Sequence, residues 1–93
     1  MFVRIARFEG AADIDGQIAA VEGAMESGPP LPHAKSGKLL VDRAAGTMAY
    51  IVFTDTAEQM AELHATLNEM SPSEGGGTRV SAEVYEVALE MNQ

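Results

Sequence analysis

The hydrophobic patterns of this chain run strand, helix, strand, strand, helix, strand within 93 residues, and that order leaves few folds open. Two helices can cover only one face of a four-stranded sheet, whereas the strand segments here are apolar toward both faces. We therefore expect one α+β domain over residues 1–93, with a four-stranded antiparallel sheet and two helices on one face. The other face needs a cover from outside the chain.

In the first strand, Phe2 to Phe8, the residues Phe2, Arg4, Ala6 and Phe8 alternate with Val3, Ile5 and Arg7. From Asp13 to Ser27 the spacing of Ile14, Ile18, Val21 and Met25 makes one apolar helical stripe, with Asp13 or Asp15 as cap and Gly28-Pro29-Pro30 as stop. An irregular connection, Leu31 to Gly37, leads into two strands, Lys38 to Arg43 and Thr47 to Thr54. Between them Ala44-Ala45-Gly46 makes a hairpin turn in which Gly46 can take positive φ. Asp55-Thr56-Ala57-Glu58 has the spacing of a capping box, and Met60, Leu63, Leu67 and Met70 form the buried stripe of the helix that follows. Ser71-Pro72 and Glu74-Gly75-Gly76-Gly77 supply a stop and a spacer, after which the last strand runs from Arg79 to Leu89.

The third strand sets Thr47, Ala49, Ile51 and Phe53 on one face and Met48, Tyr50, Val52 and Thr54 on the other; neither is a solvent face. Covering several hundred Å² of such surface yields a gross gain of order 10 kcal/mol, at roughly 25 cal/mol per Å². A two-fold homodimer packed sheet against sheet is the expected cover.

Fourteen acidic residues against six basic ones leave a formal charge of -8, which repels nucleic acid and anionic membrane surfaces. No apolar stretch approaches the roughly 20 residues of a membrane span, and Met1-Phe2-Val3-Arg4 opens directly into a strand pattern, so a cytoplasmic protein is expected. The chain has no cysteine, which excludes disulfides, thiolate nucleophiles and zinc-thiolate sites. His33 has no partner at ligand spacing, and we expect neither a metal nor a cofactor.

Arg4 sits in the middle of a strand expected to be central, where a long side chain cannot readily reach solvent. If Tyr50, Glu83 and Tyr85 share its face, a cation, a carboxylate and two phenols converge on the dimer cavity. Arg4, Tyr50 and Tyr85 are then ligand-binding candidates for a polar aromatic or enol-like compound. An Arg4–Glu83 ion pair with tyrosines filling the interface would satisfy the same residues without a ligand. His64, at the edge of the second helical stripe, and Glu83 are the candidate catalytic bases, although a half-exposed helix histidine needs no such role.

The element order and the boundary Val52-Phe53-Thr54-Asp55-Thr56-Ala57-Glu58 resemble the antibiotic-biosynthesis-monooxygenase-like branch of the dimeric α/β-barrel superfamily, where tryptophan often stands in place of Phe53. The resemblance implies a ferredoxin-like βαββαβ fold paired as a dimeric α/β barrel around a small pocket. It also implies cofactor-independent monooxygenase-like chemistry on a small aromatic or polyketide-like ligand. The first strand has no asparagine and the chain no tryptophan, both of which carry chemistry in several members of that branch. Their activities are not carried over, and a non-catalytic ligand-binding or sensing module and a purely structural dimer stand beside the enzyme reading.

Overall fold

The computed structural model describes residues 1–27, 31, 33–70 and 76–91. The expected stops Gly28-Pro29-Pro30 and Ser71-Pro72, the Glu74-Gly75 part of the spacer, and the Met25 side chain lie outside these residues. The elements are β1 (Phe2–Glu9), α1 (Ile14–Ser27), β2 (Ser36–Asp42), β3 (Thr47–Thr54), α2 (Ala57–Asn68) and β4 (Thr78–Glu86). The sheet order is β2-β3-β1-β4 with every neighbouring pair antiparallel. This is the ferredoxin-like α+β fold that the element order led us to expect.

Register assigns the faces. Arg4 lies opposite Val52 and Val84, and Ala6 opposite Tyr50 and Ala82, so the even residues of β1 share one face with the even residues of β3. That face is covered by α2: Val52, Met60, Leu63 and Leu67 form the core, with Phe2, Leu31, Ala34 and Tyr50 packed against it. The other face presents Val3, Ile5, Ala49, Ile51 and Phe53, all only partly buried, with Leu40 and Tyr85 exposed. No element of the described chain covers it.

Between Arg7 and Phe8 the β1–β4 register slips. Arg7 faces Ser81 but Phe8 faces Arg79, leaving Val80 as the extra residue of a β-bulge. Strict alternation would send Arg79 to the open face with Ser81, whereas the bulge turns it to the helix side.

Local chemistry explains the element ends, with some departures from expectation. Asp13 is the cap of α1: its Oδ1 accepts from the Gly16 amide at 2.9 Å. Among the described side chains of α1 the polar Gln17 is the most buried, while Ile14, Ile18 and Val21 are only half-buried. The box at α2 sits one residue later than the spacing suggested, because Thr56 is the N-cap, accepting from the Gln59 amide, while Gln59 Oε1 accepts from the Asp55 amide. Met60, Leu63 and Leu67 are buried as expected, but Met70 lies past the helix end and is exposed. β4 stops at Glu86 and not Leu89, since Phe2, the first residue of β1, pairs with Glu86 and, among the described residues beyond it, only the Val87 amide finds one more backbone acceptor, Met1 O. The turn before β3 is as read, with Gly46 at φ 69° and its amide donating to Asp42 O. Gly77 is more than a spacer: at φ 79° it runs so close to β1 that a Cβ would collide with the Glu9 carbonyl oxygen.

Candidate functional site

Arg4 is almost fully buried, 2% exposed, on the helix side of the central strand. Its guanidinium is held by two side chains of α2 that lie four residues apart on one helix face. Nε donates to His64 Nδ1 at 3.1 Å and Nη2 donates to Asn68 Oδ1 at 2.9 Å. Burial first, and the positive charge of Arg79 second, push the Arg4 pKa below its ordinary value. Arginine nevertheless keeps its proton in such surroundings, so a second cation stands beside a buried one.

Arg79 reaches the same region through the bulge. Its Nη1 donates to Leu67 O at 3.1 Å and Met70 O at 3.2 Å, and its Nη2 donates to Asn68 O at 3.0 Å. These carbonyls belong to the last turn of α2 and to Met70, two residues past its end, where the negative end of the helix dipole favours a cation. Asn68 thus ties the two arginines together, its side chain to Arg4 and its backbone to Arg79.

Both guanidinium groups line a cleft of about 130 Å³ between α1, α2 and the sheet. Gln17 of α1 and Tyr50 of β3 are its other polar residues; Phe8, Val21, Leu39, Met48 and Leu67 form apolar walls. Burial raises the Tyr50 pKa, which keeps its hydroxyl protonated as a donor. His64 is shifted down, by burial first and then by Arg4 and Arg79, so the imidazole is neutral near pH 7. A neutral ring whose Nδ1 accepts from Arg4 carries its proton on Nε2.

The expected convergence of Arg4, Tyr50, Glu83 and Tyr85 on one face is corrected by register. Arg4 and Tyr50 face the helices, whereas Glu83, opposite Ile5, and Tyr85, opposite Val3, face the open side. The alternative Arg4–Glu83 ion pair falls by the same geometry. On the open side the Tyr85 hydroxyl donates to the Glu83 carboxylate, a bond that raises the Tyr85 pKa. His64 does stand beside Arg4, as its direct partner. Asn68, Arg79 and Gln17 escaped the sequence reading; of these only Asn68 carries a signal, its four-residue spacing from His64 along the helix.

A larger cleft of about 370 Å³ lies at the hairpin end of the open face, with Arg7, Leu40, Ala49 and Val80 in its lining. Its charged residues, Arg7, Glu9 and Asp42, are exposed. We place the candidate site on the helix side because a buried cation is there.

No family model matches the chain, and no curated protein matches it. Among solved structures the chain is similar to a mutant of MhuD crystallised with two manganese protoporphyrin IX molecules bound per active site. The match covers 100% of both chains with a TM-score of 0.66 and 12% identity. At that identity the likeness is one of fold.

Proposed function

We propose that this protein binds a small organic molecule in the cleft between α1, α2 and the sheet, and that it does so as a homodimer closed across the open sheet face. The observation that carries the reading is Arg4, a buried cation lining a cleft with mainly apolar walls, the arrangement of a pocket whose few polar groups orient a ligand. Its volume is below the roughly 300–1,000 Å³ of pockets for drug-sized ligands. A compact compound suits it better than a multi-ring polyketide-like one.

Binding is favoured over turnover by the two candidate bases. The His64 Nδ1 lone pair is engaged by Arg4 and its Nε2 carries the proton, so the ring offers a donor and no free acceptor. Glu83 faces away from the cleft. The porphyrin bound by MhuD also fits this chain poorly. A cleft of about 130 Å³ does not admit a planar macrocycle. Freeing His64 Nε2 to ligate a metal would move the proton to Nδ1, against the Arg4 N–H.

Native mass spectrometry of gently purified protein tests both halves of the proposal. A dimer that carries a reproducible small extra mass, or takes one up from a fragment mixture, is expected. A monomer that retains and accepts nothing would overturn it.

A further inference from the structure

We infer that the ligand of this cleft is a compact organic acid whose carboxylate docks between Arg4 and Arg79, with its apolar body against Phe8, Val21 and Leu67. The inference rests on the ligand cleft proposed above and adds the chemical class of its occupant.

Two guanidinium groups line one small cleft, and among the described residues every hydrogen bond they make goes to a neutral acceptor: an imidazole nitrogen, an amide oxygen and three backbone carbonyls. The chain carries fourteen acidic residues. Yet among the described residues its ion pairs, His33–Glu62, Lys35–Asp55 and Arg43–Asp15, all lie elsewhere on the exposed surface. A buried cation beside a second cation is costly without a counter-charge, and an incoming anion relieves both terms at once.

Geometry prepares the pair for that anion. The bulge in β4 turns Arg79 into the cleft, and three carbonyls at the end of α2 fix its orientation. His64 and Asn68 hold Arg4 through Nε and Nη2, leaving its Nη1 donors without a partner among the described residues. Guanidinium donors held in this way match a carboxylate with strong, charge-assisted bonds. The walls supply the rest of the selection: their side chains are aliphatic, thioether and aromatic, and so reward an apolar tail that inorganic anions lack.

The probes are hexanoate, the isosteric neutral hexanamide and inorganic phosphate, titrated by calorimetry and by the Nε–Hε resonances of the arginines. Hexanoate should bind saturably and shift the Arg4 and Arg79 resonances. Hexanamide and phosphate should bind at least about tenfold more weakly, the scale set by charge-assisted hydrogen bonds and by apolar burial respectively. Arg79→Gln should weaken hexanoate by about tenfold or more, while Arg43→Gln, at an exposed ion pair, should leave it unaltered. If Arg79→Gln does not fold, the wild-type arginine resonances decide the matter. Hexanamide binding in the cleft as tightly as hexanoate would overturn the carboxylate assignment and leave the ligand cleft standing. Phosphate matching hexanoate would overturn the organic part. No shift of the arginine resonances by any probe would overturn the inference and the cleft reading together.

Discussion

Arg4 occupies a position where the middle residue of a central strand ordinarily adds apolar packing, and its long stem and charged head must both be accommodated between sheet and helix. A charge held there by neutral partners, His64 and Asn68 among the described residues, weighs on the stability of the empty protein. Arg4→Met keeps the length and removes the charge, so it should leave the urea midpoint of the empty protein equal or higher while abolishing the binding of small acids. A marked fall in the midpoint would mean that the His64 and Asn68 bonds outweigh the desolvation they offset. His64 gives a second test, through pH. Its folded pKa lies below the ordinary 6.5, because a protonated ring would be partly buried and would face Arg4 and Arg79. Above the unfolded pKa both states are neutral and the group's contribution is fully present. As the pH falls below that value the unfolded chain takes up a proton that the folded chain resists, and stability is lost until the folded pKa is passed. Urea midpoints followed from pH 8 to 5 should therefore decline, and His64→Gln should flatten the decline. The interior placement of Arg4 was legible in the sequence, because a cation inside an apolar strand has nowhere else to go. Its side of the sheet was not. Alternation defines two faces without saying which one the helices cover, and here the His64–Asn68 pair on α2 settles it.

At the scale of elements, the four strands and two helices could be read from periodicity, since each apolar stripe has one period and one set of breakers. Their ends follow from which of several adjacent side chains wins a backbone donor. Asp55 and Thr56 can both cap α2, and Glu58 and Gln59 can both close the box; a shift of one residue exchanges one pair for the other. The Thr56–Gln59 pair is the one formed, with Thr54 Oγ1 donating to Thr56 O to hold the entry. Thr56→Ala should accordingly cost about 1 kcal/mol of unfolding free energy, measured by urea denaturation. Asp55→Ala should cost less, because Asp55 contributes its amide to the box and its carboxylate only to an exposed pair with Lys35. The reverse order would place the cap back at Asp55. The bulge in β4 is the feature that no local pattern announces. Val80, Ala82 and Val84 alternate cleanly, and it is only the pairing with β1 that drops Val80 from the ladder and sends Arg79 inward. Arg79 was missed for that reason, and half of the cationic pair with it.

For the molecule as a whole, the uncovered sheet face is the consequence of having two helices for a sheet apolar on both sides. Ile51 lies at its centre, on β3 between Ile5 of β1 and Lys38 of β2. Val52, its neighbour in sequence, points the other way and is 1% exposed in the core of the single chain. A charge at 52 would unfold the chain, whereas a charge at 51 would be solvated in a monomer and buried in a face-to-face dimer. Ile51→Lys should therefore keep the circular dichroism spectrum and the thermal transition of a folded chain while sedimenting as a monomer. The wild-type chain should sediment as a dimer that tightens from low to physiological salt, because each copy brings a charge of -8 and screening reduces their mutual repulsion. A folded Ile51→Lys variant that stays dimeric would move the interface off this face. Arg4, Arg79 and the cleft between them lie on the opposite side of the sheet, so the proposed interface and the proposed ligand site would fail independently. Ile51→Lys should lose its partner and retain its affinity for a small acid in the hexanoate titration; loss of both together would mean that closure of the second face holds the helix layer over the cleft.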